Sequence, residues 1–350
     1  MKALVLTEYN QFSIQELPRP TIAPDEVLVR VQAVGICGSD VHGMDGSTGR
    51  RVPPMVMGHE AAGIIAEVGE AVRDWHTGDR VTFDSTIYQL DDWYSRRGMY
   101  NLSNGREVLG VSTGAGTAAQ PGFKRQGAFA EFVAVPQHIL YHIPDSVSFT
   151  QAALVEPVAV ALHAVSLTPI RVNDSAVVVG AGMIGLFVIQ ALRLAGCGQI
   201  IAIDLDDDRL ALAKTLGATA TLNPDKVTVD ADVRALTHGR GGDVAFEVVG
   251  LSATVNTAID CVRKGATVTL VGNLSPTVTL PLQAVVTRQL RIQGSCAING
   301  EYEAALELIA SGRIDVLAIL SAEAPLTDGP DWFRRLYDRE RGLIKVVLKP

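Results

Sequence analysis

Cysteine is scarce in this chain, with four residues in 350, at positions 37, 197, 261 and 296, and no C-x-x-C pair among them. That excludes a disulfide framework and fits a reducing cytoplasm. No run of lysine and arginine is long enough to line a phosphate backbone, and the net charge is −8, so nucleic acid is set aside as a partner. The longest apolar stretch, AVVVGAGMIGLFVI (176–189), is too short to cross a bilayer and carries three glycines, so no membrane association is expected. The opening MKALVLTEYNQFSI lacks the apolar core and cleavage site of a secretory signal. Glycine is abundant, yet the 33 residues are spread through ordinary sequence, as in a globular protein. At 350 residues the chain exceeds what one core usually holds, and two domains are expected.

Two kinds of sequence are present. From about residue 151 to 296, short β-branched runs (AVVVG, IIAID, VAFEVVG, TVTLVG, LRIQGSC) alternate with helical segments such as DDDRLALAKTLGA. That pattern predicts an α/β, doubly wound parallel sheet with helices on both faces. Residues 1–150 instead carry short strands (EVLVRVQAVGIC, AAGIIAEVG, GDRVTFD, GAFAEFVAVP) between Gly and Pro turns. Residues 297–350 add two helices and a last strand, LIKVVLK, whose natural host is the N-terminal sheet. The expected architecture is an α/β domain (151–296) inserted into a split, mostly β domain (1–150 and 297–350).

GAGMIG (180–185) follows a strand and opens the helix MIGLFVIQALRLAG. A GxGxxG in that context permits a tight turn and close approach of backbone to a pyrophosphate at a helix N-terminus. Asp204, at the end of the next strand, can accept hydrogen bonds from ribose hydroxyls and would repel a 2′-phosphate, which favours NAD over NADP. Arg209 could bind ribose beside it or offset that repulsion. The expected cofactor site is Gly180, Gly182, Met183, Ile184, Gly185, Asp204 and Arg209, with Val271 and Gly272 closing a later strand. Asp206, Asp207 and Asp208 read as a solvated helix N-cap.

Cys37 lies in GICGSDVHG (35–43), and two further stretches bear on it: MGHEAAG (57–63) and ALVEPVAVALH (153–163). Singly, His59 could be a core histidine, Glu60 a surface carboxylate and Glu156 a capping residue before Pro157. Together they supply a thiolate, an imidazole and two carboxylates, the donor set of a catalytic zinc with an open position.

On GICGSDVH, GHE, VEP and GAGMIG followed by Asp204, the sequence resembles the zinc-dependent medium-chain alcohol dehydrogenases, in particular their sorbitol or polyol branch. The resemblance spans essentially the whole chain. It implies a Rossmann domain inserted into a GroES-like catalytic domain, and one catalytic zinc held by Cys37, His59 and Glu60, with Glu156 ligating directly or through water. Asp40 would accept from the far nitrogen of His59. Ser39 would take the substrate's hydroxyl proton and pass it through the nicotinamide ribose to His42, while hydride goes to NAD in a cleft between the domains. Homodimers or homotetramers are usual in that family. His76, His138, His142, His163 and His238 receive no role, and Cys197, Cys261 and Cys296 read as packing residues.

Two departures qualify the resemblance. Many members carry a structural zinc in a C-x2-C-x2-C-x7-C lobe; here Gln89, Asp92, Ser95 and Ser103 stand at that spacing, and a second zinc is not expected. Sorbitol-type members often have an aromatic after the relay histidine and an arginine after the last coenzyme-domain strand. This chain has Gly43 and Ala297 there, which predicts a roomier or less polar pocket. A polyol or sugar alcohol is the expected substrate, with a small vicinal diol, a simple secondary alcohol or a hydroxy amino acid as the alternative. A zinc-free double-bond reductase on the same fold, and a nucleotide-binding protein without catalysis, are the competing classes.

Overall fold

The structure is a computed structural model, and residues 1–111 and 125–350 are described. The chain divides into two compact units, Met1–Glu156 with Ile298–Pro350, and Pro157–Ala297. The first break falls somewhat later than residue 150 because helix Phe149–Ala153 packs on strands Glu26–Gly35 and Glu60–Val68 of the first unit. The second break falls between Ala297 and Ile298.

In the second unit, the β-branched runs form six parallel strands in the order Ala220–Leu222, Gln199–Ile203, Ser175–Val179, Gly242–Glu247, Val262–Leu270, Arg291–Gly294. Val177, Val179, Ile201, Ile203, Ala245 and Val268 are fully or nearly fully buried in one cluster, which is why these strands read as unbroken apolar runs. The order reverses between Ser175–Val179 and Gly242–Glu247, the switch point at which doubly wound sheets bind ligands beyond the strand ends. Asp206 caps helix Asp207–Thr215, accepting from the N–H groups of Asp208 and Arg209, as the acidic run predicted.

The first unit is built on a seven-stranded sheet ordered Leu140–His142, Arg80–Phe83, Glu60–Val68, Glu26–Gly35, Lys345–Lys349, Leu320–Pro325, with Phe132–Pro136 also on Glu26–Gly35. The C-terminal strand therefore does return to the N-terminal sheet, antiparallel to Glu26–Gly35. Two elements are not evident from sequence. The hairpin Lys2–Glu8 with Gln11–Glu16 lacks a sharp turn signature, and Ala220–Leu222 has only three residues. Among the described residues, no helix is long and apolar enough to cross a membrane.

Candidate metal centre and coenzyme cradle

Gly35 lies opposite Glu60 in the antiparallel pair Glu26–Gly35 and Glu60–Val68, so the segment leaving Gly35 meets the segment entering Glu60. Cys37 then caps the short helix Gly38–Val41, its Sγ accepting from the N–H of Ser39 at 3.4 Å and from the Ser39 hydroxyl at 3.3 Å. One donor atom each from Cys37, His59 and Glu60 lie within 4.8 Å of one another, the one group of this kind among the described residues.

These side chains fit zinc. The Glu60 carboxylate is fully buried: Oε2 is ion-paired with Lys345 Nζ, which also donates to the Ile36 carbonyl at 2.9 Å. Its Oε1 is buried with no hydrogen-bond partner among the described residues. His59 Nδ1 lies 3.5 Å from Asp40 Oδ2, which leaves the other ring nitrogen for an ion. Although Cys37 keeps some exposure, burial around its thiol pushes the pKa up, and the Glu60 and Asp40 carboxylates push it further. A thiol beside an unpartnered buried carboxylate oxygen is a donor set that a divalent cation would compensate.

Glu156 stands in the first turn of helix Val155–Ser166, outside the triplet, and accepts from the Ser85 hydroxyl at 3.2 Å. Burial is the main cause that pushes its carboxyl up to about 7; His59 opposes and Glu60 adds. Ser39 is exposed, and His42 terminates the same short helix. Three residues apart, they share a face. Burial, then Arg339, lowers the His42 pKa, keeping its imidazole neutral.

In the second unit the glycine loop is set by geometry that only glycine meets. Gly180 has φ +101°, and a Cβ on Gly185 would overlap the Gly180 carbonyl oxygen. Gly182 caps helix Met183–Leu194 with open space over its Cα, the approach a pyrophosphate needs; Met183 and Ile184 begin that helix. Asp204 closes the loop, its Oδ2 accepting from Ala181 N–H at 2.7 Å and its Oδ1 from Asp206 N–H at 2.9 Å. Each oxygen keeps a second lone pair for a ribose hydroxyl. Arg209 is not paired to Asp204; its Nε lies 3.9 Å from Asp206 Oδ2. The N–H groups of Val271 and Gly272 both donate to the Glu247 carbonyl, at 2.8 and 3.0 Å.

The alcohol dehydrogenase GroES-like domain model matches residues 23–145, and the zinc-binding dehydrogenase model matches 184–311. Sorbitol dehydrogenase of Bacillus subtilis is 33% identical over 354 residues, covering 100% of this chain and 97% of that protein. The chain belongs to the zinc-dependent medium-chain alcohol and polyol dehydrogenases. Among solved structures, 2R,3R-butanediol dehydrogenase of Bacillus subtilis is similar with a TM-score of 0.88 and 30% identity, over 100% of this chain and 99% of that one. A structure assigned to a zinc-binding dehydrogenase of Sinorhizobium meliloti, bound to NADP, has a TM-score of 0.89 and 31% identity over 100% and 99%.

Two residues of this dehydrogenase's metal centre are not singled out by its motifs. Lys345 is buried within the strand Lys345–Lys349; a lysine inside an otherwise apolar run was its one signal. Arg51 is 3% exposed and donates through Nη2 to Asp40 Oδ1 at 2.8 Å and to the Ser39 hydroxyl at 3.1 Å. Nothing in GRRVPP distinguishes it from the exposed Arg50. Arg51 also corrects the expectation of extra room at Gly43. A Cβ there would lie 3.0 Å from Arg51 Cγ and 2.9 Å from the Ser39 carbonyl oxygen, so the arginine stem occupies that space. Ala297 adopts φ +53°, a left-handed conformation in which its methyl points no polar group anywhere.

In the lobe, the four cysteine-spaced positions meet through hydrogen bonds. Asp92 Oδ1 accepts from Ser95 N–H and Oδ2 from Asn104 N–H, both at 2.7 Å, and Gln89 N–H donates to Ser103 Oγ at 3.2 Å. The Ser95 amide is the first cause holding the Asp92 carboxyl down at about 2.

Proposed function

We propose that this dehydrogenase oxidises a secondary hydroxyl of a polyol or sugar alcohol to a ketose, with NAD as the acceptor. The observation that carries the reading is the Cys37, His59 and Glu60 triplet with a second carboxylate, Glu156, near enough to feel the charge of His59 and Glu60. Zinc held by Cys37, His59 and Glu60 would polarise a substrate hydroxyl as a Lewis acid, and NAD would supply the hydride acceptor. Glu156, direct or through water, orients the substrate end and can accept from a neighbouring hydroxyl. Ser39 accepts the hydroxyl proton as it leaves, and the neutral His42 takes it on to solvent. Asp204 on the ribose side of the glycine loop favours NAD over NADP, with Arg209 turned to Asp206.

One zinc per chain is proposed, since Asp92 knits the lobe without metal. A homodimer or homotetramer is proposed from the exposed Leu282 and Val286, each 68% exposed, on the helix beside edge strand Arg291–Gly294. A cytoplasmic location fits four widely scattered cysteines with no C-x-x-C pair. A small vicinal diol is the second reading, favoured by the missing polar groups at Gly43 and Ala297 and by the likeness to butanediol dehydrogenase. NAD and NADP reduction by the zinc-replete protein on sugar alcohols, vicinal diols and simple secondary alcohols tests both. A polyol with the highest kcat/KM is expected; preference for short diols or mono-alcohols overturns the polyol assignment.

A further inference from the structure

We propose that Arg51 is a positioning residue that holds Ser39 and, through Asp40, the zinc-ligating face of His59; this rests on the reading of Ser39 as proton acceptor and Cys37, His59 and Glu60 as zinc ligands. Arg51 and Asp40 are buried together at 3% and 0% side-chain exposure. The guanidinium grips Oδ1 of Asp40 at 2.8 Å, which fixes the carboxylate's rotation and keeps Oδ2 on the His59 side, 3.5 Å from Nδ1. The carboxylate that faces the imidazole is thereby oriented by a residue eight positions upstream in sequence.

The same Nη2 donates to the Ser39 hydroxyl at 3.1 Å. An arginine always donates and never accepts, and a hydroxyl has one hydrogen and two lone pairs. One lone pair of Ser39 is therefore permanently taken. Its hydrogen points to Cys37 Sγ at 3.3 Å, so what remains is one open lone pair, placed to receive a proton. Gly43 borders the device, since a Cβ there would meet the Ser39 carbonyl oxygen at 2.9 Å and the Arg51 stem at 3.0 Å.

The test uses Arg51→Met and Arg51→Lys, alone and combined with Asp40→Asn or Ser39→Ala. Zinc affinity is read by competition with a chromophoric chelator, and kcat at saturating zinc, NAD and substrate. Arg51→Met is expected to weaken zinc roughly 10- to 100-fold, the usual range for loss of a ligand's hydrogen-bonding support, and Arg51→Lys to recover most of it. In the Asp40→Asn background, Arg51→Met should weaken zinc no further; in the Ser39→Ala background it should lower kcat no further. Unchanged zinc affinity in Arg51→Met, or additive losses in both double variants, overturns the proposal. A Ser39→Ala enzyme with full kcat would instead sink the relay reading, leaving the zinc measurements to judge Arg51. Should Arg51→Met fail to fold, Arg51→Lys and Gly43→Ala carry the test. Gly43→Ala crowds the Ser39 carbonyl and the Arg51 stem while keeping the charge, and zinc weakened by it but no further by added Arg51→Lys supports the proposal, whereas additive losses overturn it.

Discussion

Replacing Lys345 with methionine keeps the length of the side chain and removes its charge from beside a fully buried carboxylate. Lys345 and Glu60 are 1% and 0% exposed, so without the lysine nothing in the metal-free protein compensates Glu60, and the Ile36 carbonyl loses its donor as well. Breaking a buried pair by deleting one partner costs about 3–5 kcal/mol. In the zinc-loaded protein the ion itself faces Glu60 and takes over most of that compensation, which leaves a loss of roughly 1 kcal/mol from the severed hydrogen bond. The difference, roughly 3 kcal/mol, must reappear as tighter metal binding, because the four states form a closed cycle. At 1.4 kcal/mol per tenfold, zinc should bind about 100-fold more tightly to Lys345→Met than to the wild type. Chelator competition measures this directly, and thermal unfolding with and without zinc gives the other two sides of the cycle. Zinc bound with equal or lower affinity in the variant would refute the reasoning, since it would mean that Lys345 does not oppose the cation at Glu60.

Asp84 is buried and its carboxyl is pushed up to about 7 against an ordinary value of 3.8, so the folded protein holds a proton that the unfolded chain gives up. Stability of the metal-free protein should therefore fall as pH rises from about 4 to 7, by up to about 1.4 kcal/mol per pH unit from this residue. Glu156 adds to the same slope, so Asp84→Asn should roughly halve it in urea titrations at stepped pH; an unchanged slope would show that Asp84 is already ionised in the fold. Elemental analysis should find one zinc per chain, and Asp92→Ala should raise amide hydrogen exchange across residues 89–104 while leaving that count alone. A second zinc, or a lobe indifferent to Asp92, would mean that something else holds it.

The coenzyme unit was legible because its signals are local. A glycine loop between strand and helix, an acid at the next strand end and β-branched runs each act over a few residues, and each is where that pattern puts it. Cys37, His59 and Glu60 were legible for a different reason: each lies in a short motif whose chemistry makes sense only in company. The support of that site was not legible. Arg51 looks like its neighbour Arg50, and Lys345 matters only because strand pairing delivers it to Glu60 across 285 positions of sequence. Likewise, the missing bulk at Gly43 reads as empty space until the structure shows an arginine stem running through it.

That last separation also sets an order of events during synthesis. At roughly 5–20 residues per second, Lys345 emerges about 15–60 s after Glu60. The parallel unit, complete within Pro157–Ala297, can fold in that interval. The metal-binding half must wait with one edge of Glu26–Gly35 still open, until the last two strands, Leu320–Pro325 and Lys345–Lys349, arrive to complete the sheet. Until then Glu60 has no buried partner, so the charge that opposes a cation at Glu60 enters the site only with the last strand of the chain.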